Sequence, residues 1–188
     1  MKTIALFGKT LAPENGEYMK QLFKELAGNQ AEIVVCQPFA DIVATYVPEG
    51  VQYSVFHSHE DLNADLLFSI GGDGTILDTV PFVLDSGIPV LGINLGRLGF
   101  LSSISKNEIV NAVNSVLTGD YTVEQRTLLE LVSPEKVFDN VKYALNELNV
   151  IRNPEHSLLA IKVFVDDVYL NTYWGDGILL ATPTGSTA

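Results

Sequence analysis

Short apolar runs alternate with segments of helical period along the first two-thirds of the chain, the pattern of strands joined by helical crossovers into a parallel sheet. Thr3 to Phe7 predicts the first strand. Tyr18, Met19, Leu22, Phe23 and Leu26 then recur at three- and four-residue spacing behind Asn15, a residue type that caps helices, and Gly28 with Asn29 ends the segment. Ala31 to Cys36 predicts a second strand, and Phe39 to Tyr46, apolar at helical spacing between Pro38 and Pro48, a short helix. Asp65 to Ile70 and Ile88 to Asn94 read as buried strands with a helix over Thr75 to Leu84 between them. Ser105 and Glu108 spell a capping box, and the helix they open turns Ile109, Val110, Val113, Val116 and Leu117 inward until Gly119.

After about Asp120 the helical period disappears. Strand-like runs follow over Thr127 to Val132, Val141 to Asn146, Leu158 to Val165, Val168 to Trp174 and Ile178 to Ala181, with Asp166-Asp167 at a hairpin position. The expected fold class is therefore α/β: an N-terminal doubly wound parallel-sheet domain over residues 1–120, then a β-rich domain, a partial β-sandwich, over residues 121–188. The last strand of that second domain is left short of partners at Ala188, so the chain is expected to be a fragment.

Composition narrows the function classes. At 188 residues, 47% apolar and 18% charged, the chain can bury a real core. Its 11 basic residues against 23 acidic ones give a net charge of -12, which repels nucleic acid and anionic membranes at long range. Cys36 is the one cysteine, follows the apolar run Ile33-Val34-Val35, and is read as a buried inert thiol. The apolar stretch at the N-terminus is too short for a signal peptide, and no apolar run approaches the roughly 18 residues of a membrane span, so a cytoplasmic protein is expected.

The sharpest motif is Gly71-Gly72-Asp73-Gly74-Thr75, between a buried strand and a helix. Glycines there let the backbone adopt positive φ and let a bulky ligand approach the main chain, and successive amides ahead of a helix make an anion site without basic side chains. Asp73 stands where it can activate a hydroxyl or accompany a divalent cation. A tight turn capped by Asp73 explains the motif in isolation equally well. The next strand ends in a second glycine cluster from Gly92 to Leu101, whose spacing is not that of the ordinary dinucleotide fingerprint. There the glycines serve close packing as readily as ligand approach, and Arg97 is the candidate phosphate contact. In the β-rich half, Asn146-Glu147 offers an amide beside a carboxylate, suited to ribose hydroxyls and base edges or simply to a solvated surface. Asp176 lies between Gly175 and Gly177, and Thr182-Pro183-Thr184-Gly185-Ser186-Thr187 surrounds a proline and a glycine with hydroxyls suited to a nucleoside. His57, His59 and Glu60 have no further partner at ligand spacing, so no protein-held metal site is expected.

Together, Gly71 to Thr75, the segment ending Leu98-Gly99-Phe100-Leu101, Asn146-Glu147, and Asp176-Gly177 through Thr182 to Ala188 resemble the NAD kinase family in order and spacing. The resemblance implies an α/β domain followed by a β-rich domain, NAD and ATP bound in the crevice between them, and transfer of the γ-phosphate of ATP to the 2′-hydroxyl of the adenosine ribose of NAD. It implies that Asp73 accepts that hydroxyl's proton, that Gly71, Gly72, Gly74 and Thr75 hold phosphate, and that Asn146 and Glu147 bind ribose and base groups. It further implies that Asp176 holds the substrate, within one subunit or across an interface, that Thr184 belongs to the same nucleoside loop, and that Ser186, Thr187 and Ala188 line the adenosine pocket. Mg²⁺ or another divalent metal, and a homodimer or homotetramer, are implied as well. Trp174 departs from the basic side chain of many relatives, so stacking is expected to replace a charge contact. Two rival readings remain open: a non-catalytic module that binds NAD or NADP, and a lipid kinase sharing the Gly-Gly-Asp-Gly-Thr segment, which the charge of -12 disfavours.

Overall fold

The computed structural model describes residues 1–188 apart from Leu98, Glu135, Lys136, Asp139, Asn140, His156 and Ala188, and the Thr187 side chain. Two units divide the chain, Met1–Glu124 and Gln125–Ala188.

Unit 1 runs β1 (Thr3–Gly8), α1 (Gly16–Gly28), β2 (Glu32–Cys36), α2 (Gln37–Val43), β3 (Ser54–Phe56), β4 (Leu66–Ile70), α3 (Asp73–Leu77), α4 (Val80–Val83), β5 (Val90–Asn94), β6 (Ile104–Ser105) and α5 (Ile109–Thr118). The six strands form one sheet in the order β3-β2-β1-β4-β5-β6, parallel at every pairing. Ile4, Ala5 and Leu6 are successive residues of β1 and all are fully buried, as are Leu67 and Phe68 of β4. Successive strand residues face opposite sides, so both faces of the central strands are covered, which is why they are near-continuous apolar runs. Phe82 of α4 joins this core, its ring 5.2 Å from Phe7 and 5.6 Å from Phe56.

Several elements depart from expectation. The helix expected over Thr75 to Leu84 is two short ones, because Pro81 has no N–H and its ring excludes the carbonyl four residues back, that of Leu77. Asn15 does not cap α1 with its side chain: Pro13–Asn15 forms a 3-10 turn that leaves Asn15 at φ -94° and ψ 0°, outside the extended geometry a cap requires, with its Oδ1 buried and unpartnered among the described residues. The strands β3 and β6, three and two residues long, are too brief to stand out in the hydrophobic pattern. The capping box at Ser105 and Glu108 is present, and Gly119 ends α5 at φ 82°.

Unit 2 is built from antiparallel pairs: β7 (Leu129–Glu130) with β8 (Tyr143–Ala144), β9 (Glu147–Ile151) with β12 (Gly177–Ala181), and β10 (Leu159–Val165) with β11 (Val168–Gly175). Asp166 and Asp167 both take positive φ, 49° and 64°, the backbone of a two-residue hairpin turn whose twist matches its strands. The runs expected over Thr127 to Val132 and Val141 to Asn146 narrow to two residues each. The strand β9, whose polar Glu147 and Asn149 interrupt the apolar pattern, was not legible as a strand. Among the described residues every buried apolar side chain belongs to unit 1.

Candidate functional site

In unit 1 the parallel sheet brings the carboxyl ends of its strands to one edge. From β1 the chain moves outward through β2 to β3, then returns to the other side of β1 as β4, so the order reverses between β1 and β4. Ligands of open parallel sheets bind beyond the strand ends at such a reversal. The turn Gly71-Gly72-Asp73 leaves β4 there. Gly8, the last residue of β1, is in register with Ile70, so Lys9 follows β1 where Gly71 follows β4.

The turn is shaped by one obligatory glycine. Gly71 has φ +152°, and a Cβ on it would stand 2.2 Å from Thr75 Oγ1. Gly72 and Gly74 do not take positive φ and have space around them, so they are not required by backbone strain as the motif suggests. The helix that follows has five residues, too few for a strong dipole, and a phosphate here would rely on individual amides and on side chains.

Asp73 is the centre of the arrangement. Its Oδ2 accepts the amide of Phe100 at 2.7 Å, and its Oδ1 accepts the amides of Leu101 at 3.0 Å and Ser102 at 2.9 Å. The Ser102 hydroxyl donates to the Gly71 carbonyl at 3.0 Å, which ties the two glycine-rich segments together a second time. Burial raises the carboxyl pKa, but the amides of Ser102, Phe100 and Leu101 outweigh it and hold the group below the ordinary carboxylate range. Asp73 is therefore an oriented anion of low basicity.

The second glycine segment is shaped by Asn94, which is buried at the end of β5. Its Nδ2 donates to the Arg97 carbonyl at 2.6 Å, and its Oδ1 accepts the Gly96 amide at 2.8 Å. Arg97 thus leaves the turn at an exposed position beyond β5, while Lys9, paired with Asp78 at 2.6 Å, stands beyond β1. Both strands neighbouring β4 carry a cation just past their ends. Sequence reasoning singled out Arg97 but missed Lys9, Asn94 and Ser102, whose roles depend on strand register rather than on any motif.

Unit 2 gathers a different set. Thr182 is buried, donates its amide to the Asn146 carbonyl at 2.8 Å, and its hydroxyl accepts the Gly185 amide at 3.1 Å. A Cβ on Gly185 would stand 2.3 Å from the Asn146 carbonyl oxygen, so the turn from Thr182 to Ser186 lies directly on Asn146. Asn146 Oδ1 is buried without a partner among the described residues. Ser186 Oγ donates to the Pro183 carbonyl at 2.8 Å, and Arg126 donates to Thr184 Oγ1 at 3.4 Å. Glu147 pairs in register with Ala181, accepts from Asn149 at 3.2 Å, and borders a largely apolar cavity of about 400 Å³ with Leu129, Phe138, Tyr143 and Leu148. Asp176 stands at the corner between β11 and β12, ion-paired with the Nε of Arg152, a partner the sequence did not reveal. Trp174 is 72% exposed on β11. Asn146, Glu147, Thr184 and Ser186 are therefore neighbours along β9 and the turn after β12. Asp176 is at the opposite end of that strand pair, Thr187 ends the short 3-10 turn from Gly185, and Ala188 and Leu98 lie outside the described residues.

The ATP-NAD kinase N-terminal domain matches residues 4–121, and the ATP-NAD kinase C-terminal domain matches residues 145–188. The chain is 39% identical over 184 residues to a NAD kinase of Bacteroides fragilis, covering 98% of this chain and 63% of that protein. It is 36% identical over 185 residues to a NAD kinase of Cytophaga hutchinsonii, covering 97% and 63%. The crystal structure of yeast NADH kinase complexed with NADH is similar with a TM-score of 0.82 and 28% identity, over 100% of this chain and 59% of that one. The chain spans a little under two-thirds of the length of these relatives.

Proposed function

The chain belongs to the ATP-NAD kinase family, and from that premise we propose that it carries the phosphate site and the dinucleotide-binding elements of an NAD kinase. The reaction is transfer of the γ-phosphate of ATP to the 2′-hydroxyl of the adenosine ribose of NAD. The observation that carries this reading is the Asp73 carboxylate, held by three amides at the strand-order reversal where a polyphosphate and a sugar hydroxyl can meet.

The 2′-oxygen attacks the γ-phosphorus, the bond to the β,γ-bridging oxygen breaks, ADP leaves and the hydroxyl proton passes to Asp73 and then to solvent. A loose phosphoryl-transfer transition state leaves that proton in place until late, so a carboxylate of low basicity suffices as its acceptor. Asp73 first accepts the hydroxyl's hydrogen bond and fixes the angle of attack, which is worth more here than base strength. The turn amides, with Gly74 and Thr75, face the phosphate, and Arg97 neutralises charge from the β5 side. In unit 2, Asn146, the Glu147 carboxylate and the hydroxyls of Thr184 and Ser186 bind ribose and base groups. Asp176, oriented by Arg152, holds the substrate, and Trp174 stacks on it.

Among the described residues no group of three or more His, Cys, Asp or Glu side chains is placed to hold a metal ion. Those side chains do not form a resident Mg²⁺ site, and Mg²⁺ enters the reaction as part of the MgATP substrate. Among the described residues no helix is long and apolar enough to cross a membrane. A cytoplasmic location is kept as the expectation from the sequence, and a homodimer or homotetramer as what the family resemblance implies.

The test is formation of NADP from NAD and MgATP, by this chain and by the full-length gene product, with Asp73→Asn as the control. NADP formation that Asp73→Asn removes supports the reading. Binding of NAD by the folded full-length product without turnover overturns it in favour of a non-catalytic dinucleotide-binding module.

A further inference from the structure

Three main-chain amides converge on the Asp73 carboxylate, and the way they divide between its oxygens has a chemical consequence. A carboxylate offers about four lone-pair directions. The amides of Leu101 and Ser102 occupy both directions on Oδ1, and that of Phe100 occupies one on Oδ2. Among the described residues a single direction is left without a donor, on Oδ2.

We propose that the backbone from Gly99 to Ser102 is a cradle that aims Asp73, leaving this one direction on Oδ2 to receive the substrate hydroxyl, so that Gly99 and Phe100 are positioning residues for the transfer. The inference rests on the reading of Asp73 as the hydroxyl's acceptor and says which atom accepts and what orients it.

The approach is possible only without a side chain at position 99. A Cβ on Gly99 would stand 2.2 Å from Oδ1 and 2.6 Å from Oδ2 of Asp73, inside any permitted contact. The close packing at this glycine is thus against the reacting carboxylate itself. The far end of the segment is anchored independently. Ser102 is fully buried, its hydroxyl donates to the Gly71 carbonyl at 3.0 Å, and its Cα lies 2.7 Å from where a Cβ on Gly92 would be. The cradle is therefore wedged between β5 and the turn it serves. The Phe100 side chain is wholly exposed, so its contribution to the cradle is the amide alone.

The test is a carboxyl-carbon NMR titration of Asp73, assigned by its loss in Asp73→Asn, on the full-length gene product, together with steady-state kinetics. In Gly99→Ala the carboxyl is expected to titrate higher, toward the value of about 4 of a free aspartate. The rate kcat is expected to fall about tenfold to a hundredfold, with KM for NAD changed less than about threefold, as for a misaligned acceptor. Phe100→Pro replaces the donor to Oδ2 by a carbon and gives the same two readings if Gly99→Ala does not fold. Phe100→Ala, which keeps the amide, is expected to leave the Asp73 titration in place.

An unmoved titration in both folded variants overturns the cradle, as does a Phe100→Ala shift as large as that of Phe100→Pro. A moved titration with unchanged kcat overturns its positioning role. If the wild-type product makes no NADP at all while the titration moves as stated, the kinase reading fails and the cradle's hold on Asp73 stands.

Discussion

Phe23, Phe39, Phe56 and Phe68 of unit 1 are fully buried, whereas Phe164, Tyr169 and Trp174 of unit 2 are each more than half exposed. The same kind of apolar residue is placed oppositely because the two units solve the backbone problem differently. Unit 1 pairs six strands into one sheet and covers both faces with helices, so a strand residue is buried whichever way it points. Unit 2 pairs its strands two by two, which satisfies hydrogen bonds along one edge only and leaves apolar faces in water. Within this chain, which spans a little under two-thirds of the length of its relatives, the buried core therefore lies in unit 1, where Asp73 is held from two directions, while the turn that lies on Asn146 in unit 2 is organised by local hydrogen bonds such as those of Thr182.

The largest test of this contrast is truncation of matched apolar residues. Leu67→Ala is expected to cost about 2–5 kcal/mol in unfolding free energy, and Leu180→Ala about 1 kcal/mol or less, measured by denaturant titration. Equal losses would break the distinction. Next is activity: Asp73→Asn in unit 1 is expected to lower kcat for NADP formation by about a hundredfold or more. Asp176→Asn in unit 2 is expected to act mainly through KM for NAD, by about tenfold.

The dependence on pH sharpens the same point. Asp73 titrates below the ordinary carboxylate range when folded, so its contribution to stability is complete above the unfolded value of about 3.9 and is lost as pH falls through the folded one. Unit 1 should lose stability at the acid end in the wild type and less steeply in Asp73→Asn, and NADP formation should show no Asp73 limb between about pH 5 and 8. The smallest effect is at Cys36. Burial pushes its thiol up to about 11, with a lesser opposing pull from the Gln37 backbone, so it should resist a thiol reagent until unit 1 opens, even while unit 2 is cleaved by protease.

Much of unit 1 was legible from sequence because its central strands are buried on both faces and carry almost no polar residues. β1, β2, β4 and β5 were found, and the glycine turn after β4 was placed at the strand end. The break before Pro81 could have been found from the proline alone. β9 was missed because its polar residues answer to the strand pair with β12 and the turn beside it, not to a buried face. In the site, residue identities were legible and their partners were not. Asp73 stood out between glycines, yet its three donors lie 27 to 29 positions away.

By itself the sequence determined the strand-and-helix alternation, the position of the glycine turns, the buried thiol and the acidic surface, since each follows from local periodicity or from residue type. Only the tertiary structure decided that Lys9 and Arg97 flank one turn, that Arg152 pairs with Asp176, and that backbone amides rather than a basic side chain hold Asp73. Those contacts depend on strand register and on main-chain groups, and every residue except proline carries the same main-chain N–H, so no residue letter announces which amide will be used.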